Sequence, residues 1–395
     1  MSENISPEQY RAELTYMNHE IAALKDELEK KKRIDKFDAF GNVTEFRDYR
    51  ESSGDYSKIL PQIEEPGFEI PLAPGYMERK ALRKNYNVAG ICVILSDLVA
   101  MGLYTAITFI IIGAIMLVNP NTDRSAIARY MDETSLTYVA NALSFMTCNI
   151  GFAFLGLKIC KVRSRELVRT TDFSFSKGFQ YVFIALFLQT VAAYATFFVT
   201  QIVENCGYTV YSHDYEDFSM PFTGKIVAIL YGCLIAPVTE ELFYRGMLLK
   251  LFSKANQRFA IFFSALIFGL GHGNLPQFLL AFLVGIFLGH ITMKHNSIIP
   301  AIICHIVVNS KSDLMSILET SLGKNTGNMT TLIIDVVATI FGAIMLFDFR
   351  LKNKLPATTP HQSRRGLSVA VTSVPLIIAV GFELTNMIYM ILSVS

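Results

Sequence analysis

The rhythm of apolar and polar positions changes near residue 87. Before it, polar and charged residues dominate, and apolar ones recur at Tyr10, Leu14, Met17, Ile21, Leu24 and Leu28, alternately four and three apart. That spacing is a short heptad seam. Ahead of it, Ser6-Pro7-Glu8-Gln9 supplies a serine cap, a first-turn proline and a capping-box glutamine. Residues 1–36 are therefore expected to form an amphipathic helix ending in the charged run KDELEKKKR. It either pairs as a coiled coil or lies along a protein or membrane surface. Residues 37–86, with several glycines, prolines and acids, read as an extended cytoplasmic linker.

From residue 87 the apolar runs are long. Membrane spans are predicted near 88–117, 136–157, 179–202, 225–252, 258–272, 275–292, 297–314, 330–348 and 367–392. The runs 258–272 and 275–292 are short and separated by GNLPQ. They form either a re-entrant pair or two crossings, so the count is eight or nine. The predicted fold is all-α: a polytopic membrane helix bundle over 87–395 with a polar helical N-terminal extension.

Composition agrees, since 52% of the 395 residues are apolar, well above the usual share for a soluble globular chain. A formal net charge of +1, with no basic cluster interleaved with aromatics, argues against nucleic acid as a partner. The six cysteines are scattered and include no C-x-x-C pair, so neither a zinc ribbon nor a disulfide framework is indicated. The polar N-terminus lacks a signal-peptide pattern, so an internal span is expected to direct insertion.

Lys and Arg are distributed unevenly about the spans. One side collects those at 79–84, 158–177, 250–258, Lys294 and 350–365, whereas the other holds only Arg124, Arg129, Lys225, Lys311 and Lys324. The positive-inside rule then puts the N-terminus in the cytoplasm. Of three sequons, at Asn4, Asn42 and Asn328, only the last falls outside, and a bacterial plasma membrane is the expected location.

Charged side chains inside these spans change the picture most. Such groups are costly in hydrocarbon and are normally paired or functional. In PVTEELFYRG, Glu241 and Arg245 stand four apart and can neutralise each other. Glu240 points about 100° away and is left for another task, with Tyr244 placed to steady it. The next run ends LIFGLGHGN, which sets Phe268 and His272 on one face, and PAIICHIVVNS does the same for His305 and Asn309. A lone intramembrane histidine, or a His/Asn pair, is more often a helix–helix hydrogen bond than a catalyst. Here, however, the levels agree: at ~1.5 Å per residue, Glu240, His272 and Asn309 each lie ~20 Å above their cytoplasmic helix ends and His305 ~14 Å.

Such a set is sufficient for peptide-bond hydrolysis. A carboxylate can take a proton from water, a histidine can orient that water, and a second histidine with an asparagine can donate to an oxyanion. Glu240, His272 and His305 also match a zinc site with water as fourth ligand, though H-E-x-x-H is absent. The residues leave the metal question open.

E-E-x-x-x-R on one span, F-x-x-x-H on the next and H-x-x-x-N further on resembles the CAAX-protease and bacteriocin-processing (CPBP, or Abi) intramembrane protease family. The resemblance covers about residues 180–315. It implies an endopeptidase acting on a membrane-embedded or lipid-modified peptide, with Glu240 activating water, His272 orienting it and His305 and Asn309 forming the oxyanion hole. Glu241, Arg245, Phe268 and Tyr244 would support them. Members are often named metalloproteases, and a metal-free glutamate mechanism has also been proposed. Arg245 beside Glu241 favours the metal-free form, while zinc on Glu240, His272 and His305 is the alternative. The resemblance does not cover residues 1–86, where residues 10–28 offer a surface for self-association or a partner. Two other readings use the same residues: a catalytically silent immunity or scaffold protein, and a proton-coupled carrier. All four motif residues are retained, which disfavours the former. The halves of the chain show no evident repeat, which disfavours the latter.

Overall fold

A computed structural model describes Ile21 and residues 74–168, 175–210, 222–254, 256–352 and 367–394. Almost all of the heptad segment and most of the linker lie outside the described residues.

Ten longer helices carry most of the described residues: α1 (Pro74–Val118), α2 (Arg124–Glu133), α3 (Leu136–Ile159), α4 (Phe175–Asn205), a broken α5 (222–253), α6 (Gln257–Leu270), α7 (Leu275–His295), α8 (Ile299–Leu322), α9 (Lys324–Lys352) and α10 (Val374–Val394). No strand occurs among the described residues. Helix α1 begins at Pro74, so residues 74–86, expected in the linker, are helical. Their sequence explains it: Leu82, Tyr86, Ala89 and Val93 repeat at helical spacing and are all buried, which carries the helix past the end of the apolar run.

Seven helices are long and apolar enough to cross a membrane: α1, α3, α4, α5, α7, α9 and α10. Helix α8 matches them at 24 residues but is made more polar by His305, Asn309, Lys311, Asp313 and Glu319. Helix α6 has only 14 residues, ~21 Å of rise against a hydrocarbon core of ~30 Å. Of the two short runs, only the first therefore stays short of a crossing; α7 spans 21 residues, to His295. Large apolar side chains such as Phe109, Ile110, Leu117, Phe198, Ile344 and Phe347 are exposed on the outside of the bundle, as lipid-facing residues are.

Two buried clusters build the core. One joins α1, α3, α10 and the C-terminal end of α5 through Leu82, Tyr86, Leu157, Met247, Phe252 and Leu376. The other joins α4, α7, α8 and α9 through Tyr181, Ile184, Phe287, Leu288, Cys304 and Phe349. Helix α5 lies between them, packed on α3, α6 and α8.

Candidate active site

Helix α5 is not one regular helix. Phe222–Ile229 is α-helical, Leu230–Ile235 is π-helical, Ala236–Glu240 is α, Glu241–Leu248 is π again and Leu249–Ser253 returns to α. Pro237 lies within this alternation, and proline removes one main-chain donor from a helix. Single π turns widen a helix and are frequent at functional sites.

The second π segment begins at Glu241. Its Oε1 accepts from Arg245 Nη1 at 2.8 Å and faces His305 Nδ1 at 2.9 Å. Both Glu241 and Arg245 side chains are wholly buried. Arg245 is held from two further directions: Nη2 donates to the Gly285 carbonyl at 3.3 Å, and the guanidinium lies over the Phe268 ring, 4.2 Å from its centroid. A Cβ on Gly285 would stand 2.8 Å from Nη2, so glycine is what lets α7 approach. The pairing of Glu241 with Arg245 expected from their spacing is present.

Glu240 faces a different neighbour. Its Oε2 lies 3.7 Å from His305 Nε2, and its side chain keeps 22% exposure where that of Glu241 has none. One imidazole thus stands between two glutamates. Since a carboxylate oxygen can only accept, Nδ1 donates to Glu241, which directs Nε2 at Glu240.

His272 is placed by the end of α6. Its Nδ1 is 2.8 Å from the Phe268 carbonyl, a helix-terminal acceptor, so Nδ1 carries a hydrogen and Nε2 is the ring nitrogen left to face the site. The turn beyond is tight: Gly273 adopts a φ of 68°, and Asn274 caps α7 by accepting from Gln277 N–H at 2.9 Å. Tyr244 packs against this turn. A Cβ on Gly271 would meet its hydroxyl at 2.7 Å, and its ring packs edge-on against Phe268 with centroids 4.9 Å apart. Phe268 is the hub, since His272 and His305 also meet its ring, at centroid distances of 5.0 and 5.6 Å.

Asn309 lies one turn of α8 beyond His305. Its Nδ2 donates to the Gly232 carbonyl at 2.9 Å, in the first π segment. One of the two amide hydrogens is engaged there. Gly285 and Gly232 are site residues that motif spacing did not single out, and an isolated glycine inside an apolar helix was their only signal.

Among the described residues, no group of three or more His, Cys, Asp or Glu side chains could hold a metal ion. Glu240, His272 and His305 as placed do not form a three-ligand zinc set.

The chain is thus a polytopic helical membrane protein in which Glu240, Glu241 and Arg245 of the broken helix α5 cluster with His305 of α8. Residues 222–310 match a family described as Type II CAAX prenyl endopeptidase Rce1-like, which agrees with the CAAX-protease resemblance of the three motifs. The match runs through α5, α6 and α7 into α8, and so contains every residue of the cluster together with His272 and Asn309. No curated protein and no solved structure matches the chain.

Proposed function

We propose that the chain is an intramembrane endopeptidase that hydrolyses a peptide bond near the C-terminus of a membrane-associated, lipid-modified peptide or protein. The observation that carries the reading is the unequal treatment of two adjacent glutamates. Glu241 is sealed between Arg245 and His305, whereas Glu240 is open and faces the free side of the same imidazole.

In this reading a water molecule is held by Glu240 and by the lone pair on His272 Nε2. Glu240 takes a proton as the water oxygen attacks the scissile carbonyl. In this reading His305 acts with a hydrogen on both ring nitrogens, Nδ1 on Glu241 and Nε2 toward the oxyanion that develops, with the second Asn309 amide hydrogen beside it. Collapse of the tetrahedral intermediate breaks the C–N bond, and the proton held by Glu240 passes to the leaving amine. The Glu241 contact keeps the His305 ring turned so that Nε2 faces the reacting group. The lipid-modified substrate class rests on the family match and on a site reached from within a membrane bundle.

The test is cleavage in proteoliposomes of a farnesylated C-terminal peptide and of its unmodified form, with and without a strong zinc chelator. Removing the base is expected to lower the rate by roughly 10²–10⁴-fold in Glu240→Gln, with an unchanged folded state. The modified peptide is expected to be preferred and the chelator to have no effect. Equal rates for wild type and Glu240→Gln would overturn the assignment of the base, and loss of activity with chelator alone would point to the zinc form.

A further inference from the structure

The first π segment of α5 carries an unusual set of contacts. At its end, Ala236 N–H bonds to the Tyr231 carbonyl, five residues back. The next bond in that register would run from residue 237 to the Gly232 carbonyl, but residue 237 is proline and has no N–H. In the middle of a membrane bundle an unmatched carbonyl is costly, and no bulk water is at hand to satisfy it. Gly232 is the carbonyl that receives the Asn309 side chain, at 2.9 Å. One turn further along α8, Asp313 Oδ2 accepts from the Cys233 thiol at 2.8 Å. His305, Asn309 and Asp313 thus succeed one another every fourth residue, and each touches α5: at the two glutamates, at Gly232 and at Cys233.

We propose that Asn309 is a positioning residue: its amide supplies the donor that Pro237 withholds, and with the Asp313–Cys233 contact it clamps the break in α5 so that Glu240 stands against His305. This deepens the protease reading and rests on it for the purpose of the clamp. The clamp itself is a statement about the helix and can be tested without a substrate. It also separates two roles for Asn309. As an oxyanion donor alone, Asn309 would affect turnover and leave stability untouched. As a clamp it affects both, and its importance depends on Pro237.

The experiment is a double-mutant cycle between Asn309→Leu and Pro237→Ala, read by the thermal unfolding midpoint of the full chain in detergent and by cleavage kinetics. Asn309→Leu keeps the branched shape of the side chain and removes the donor; Pro237→Ala restores a main-chain N–H for Gly232. The expected result is that Asn309→Leu lowers the midpoint by several degrees and lowers kcat more than it raises KM. In the Pro237→Ala background the same change should cost less than half that shift, because coupled sites do not add. Additive midpoint shifts, or a midpoint unchanged in Asn309→Leu, would overturn the proposal whatever the activity. If Asn309→Leu does not accumulate, Asn309→Ala is carried through the same cycle, and accumulation regained only with Pro237→Ala is the supporting result. Substrates left uncut while the midpoints couple would count against the protease reading and not against the clamp.

Discussion

Glu240 and Glu241 are neighbours in sequence with opposite fates, because successive residues on a helix point about 100° apart. Glu241 meets a guanidinium and an imidazole, both within 2.9 Å. A buried ion pair of this kind is strongly destabilised when one partner is removed, since the survivor is left as an uncompensated charge. Arg245→Ala is therefore expected to cost about 3–5 kcal/mol, seen as a large fall in unfolding midpoint or as failure to accumulate. Combining it with Glu241→Gln should restore part of the loss, because no bare carboxylate then remains. Equal midpoints for Arg245→Ala and wild type would show that the pair does not hold the helix. Glu240→Gln belongs to the other class: a partly exposed carboxylate whose removal should change the rate and spare the fold.

At the scale of elements, much of the site was legible in the chain. Helical spacing paired Glu241 with Arg245, and rise per residue put Glu240 and the two motif histidines at comparable depth. The breaks in α5 were not legible. A π turn has no composition of its own; it arises where neighbours offer partners for displaced carbonyls, and the partner of Gly232 lies 77 residues away on α8. Nor could spacing show that Tyr244 braces the turn carrying His272, since that contact runs between α5 and the end of α6. The close approach of α7 belongs to the same class. Gly285→Ala would put a methyl 2.8 Å from Arg245 Nη2 and 3.2 Å from the Phe268 ring, with Arg245 fully buried and unable to retreat. Overpacking of this kind costs roughly 1–3 kcal/mol, so Gly285→Ala is expected to lower both the midpoint and the rate. A variant with wild-type values for both would show that α7 can shift freely.

Across the whole molecule, contacts between helix ends define which termini share a face. Near the start of α1, Tyr86 packs on Phe252 at the end of α5 and on Phe259 at the start of α6, and Arg83 reaches Thr372 just before α10. Gln180 near the start of α4 bonds to Asp348 near the end of α9, while Tyr181 bonds to His295 at the end of α7. Ile298, before α8, donates to the Leu167 carbonyl. These are the ends flanked by the Lys and Arg residues at 79–84, 158–177, 250–258, Lys294 and 350–365. Both groups of helices therefore present a basic rim, and we propose from the positive-inside rule that this rim faces the cytoplasm. Cys206 follows the opposite end of α4 and alone among the six cysteines is exposed. A membrane-impermeant maleimide added to intact cells is therefore expected to label the protein, and Cys206→Ser to abolish the labelling. Labelling that appears only after the membrane is opened would place the basic rim outside and reverse the orientation. It would also invert the side from which a substrate's polar C-terminus must reach Glu240.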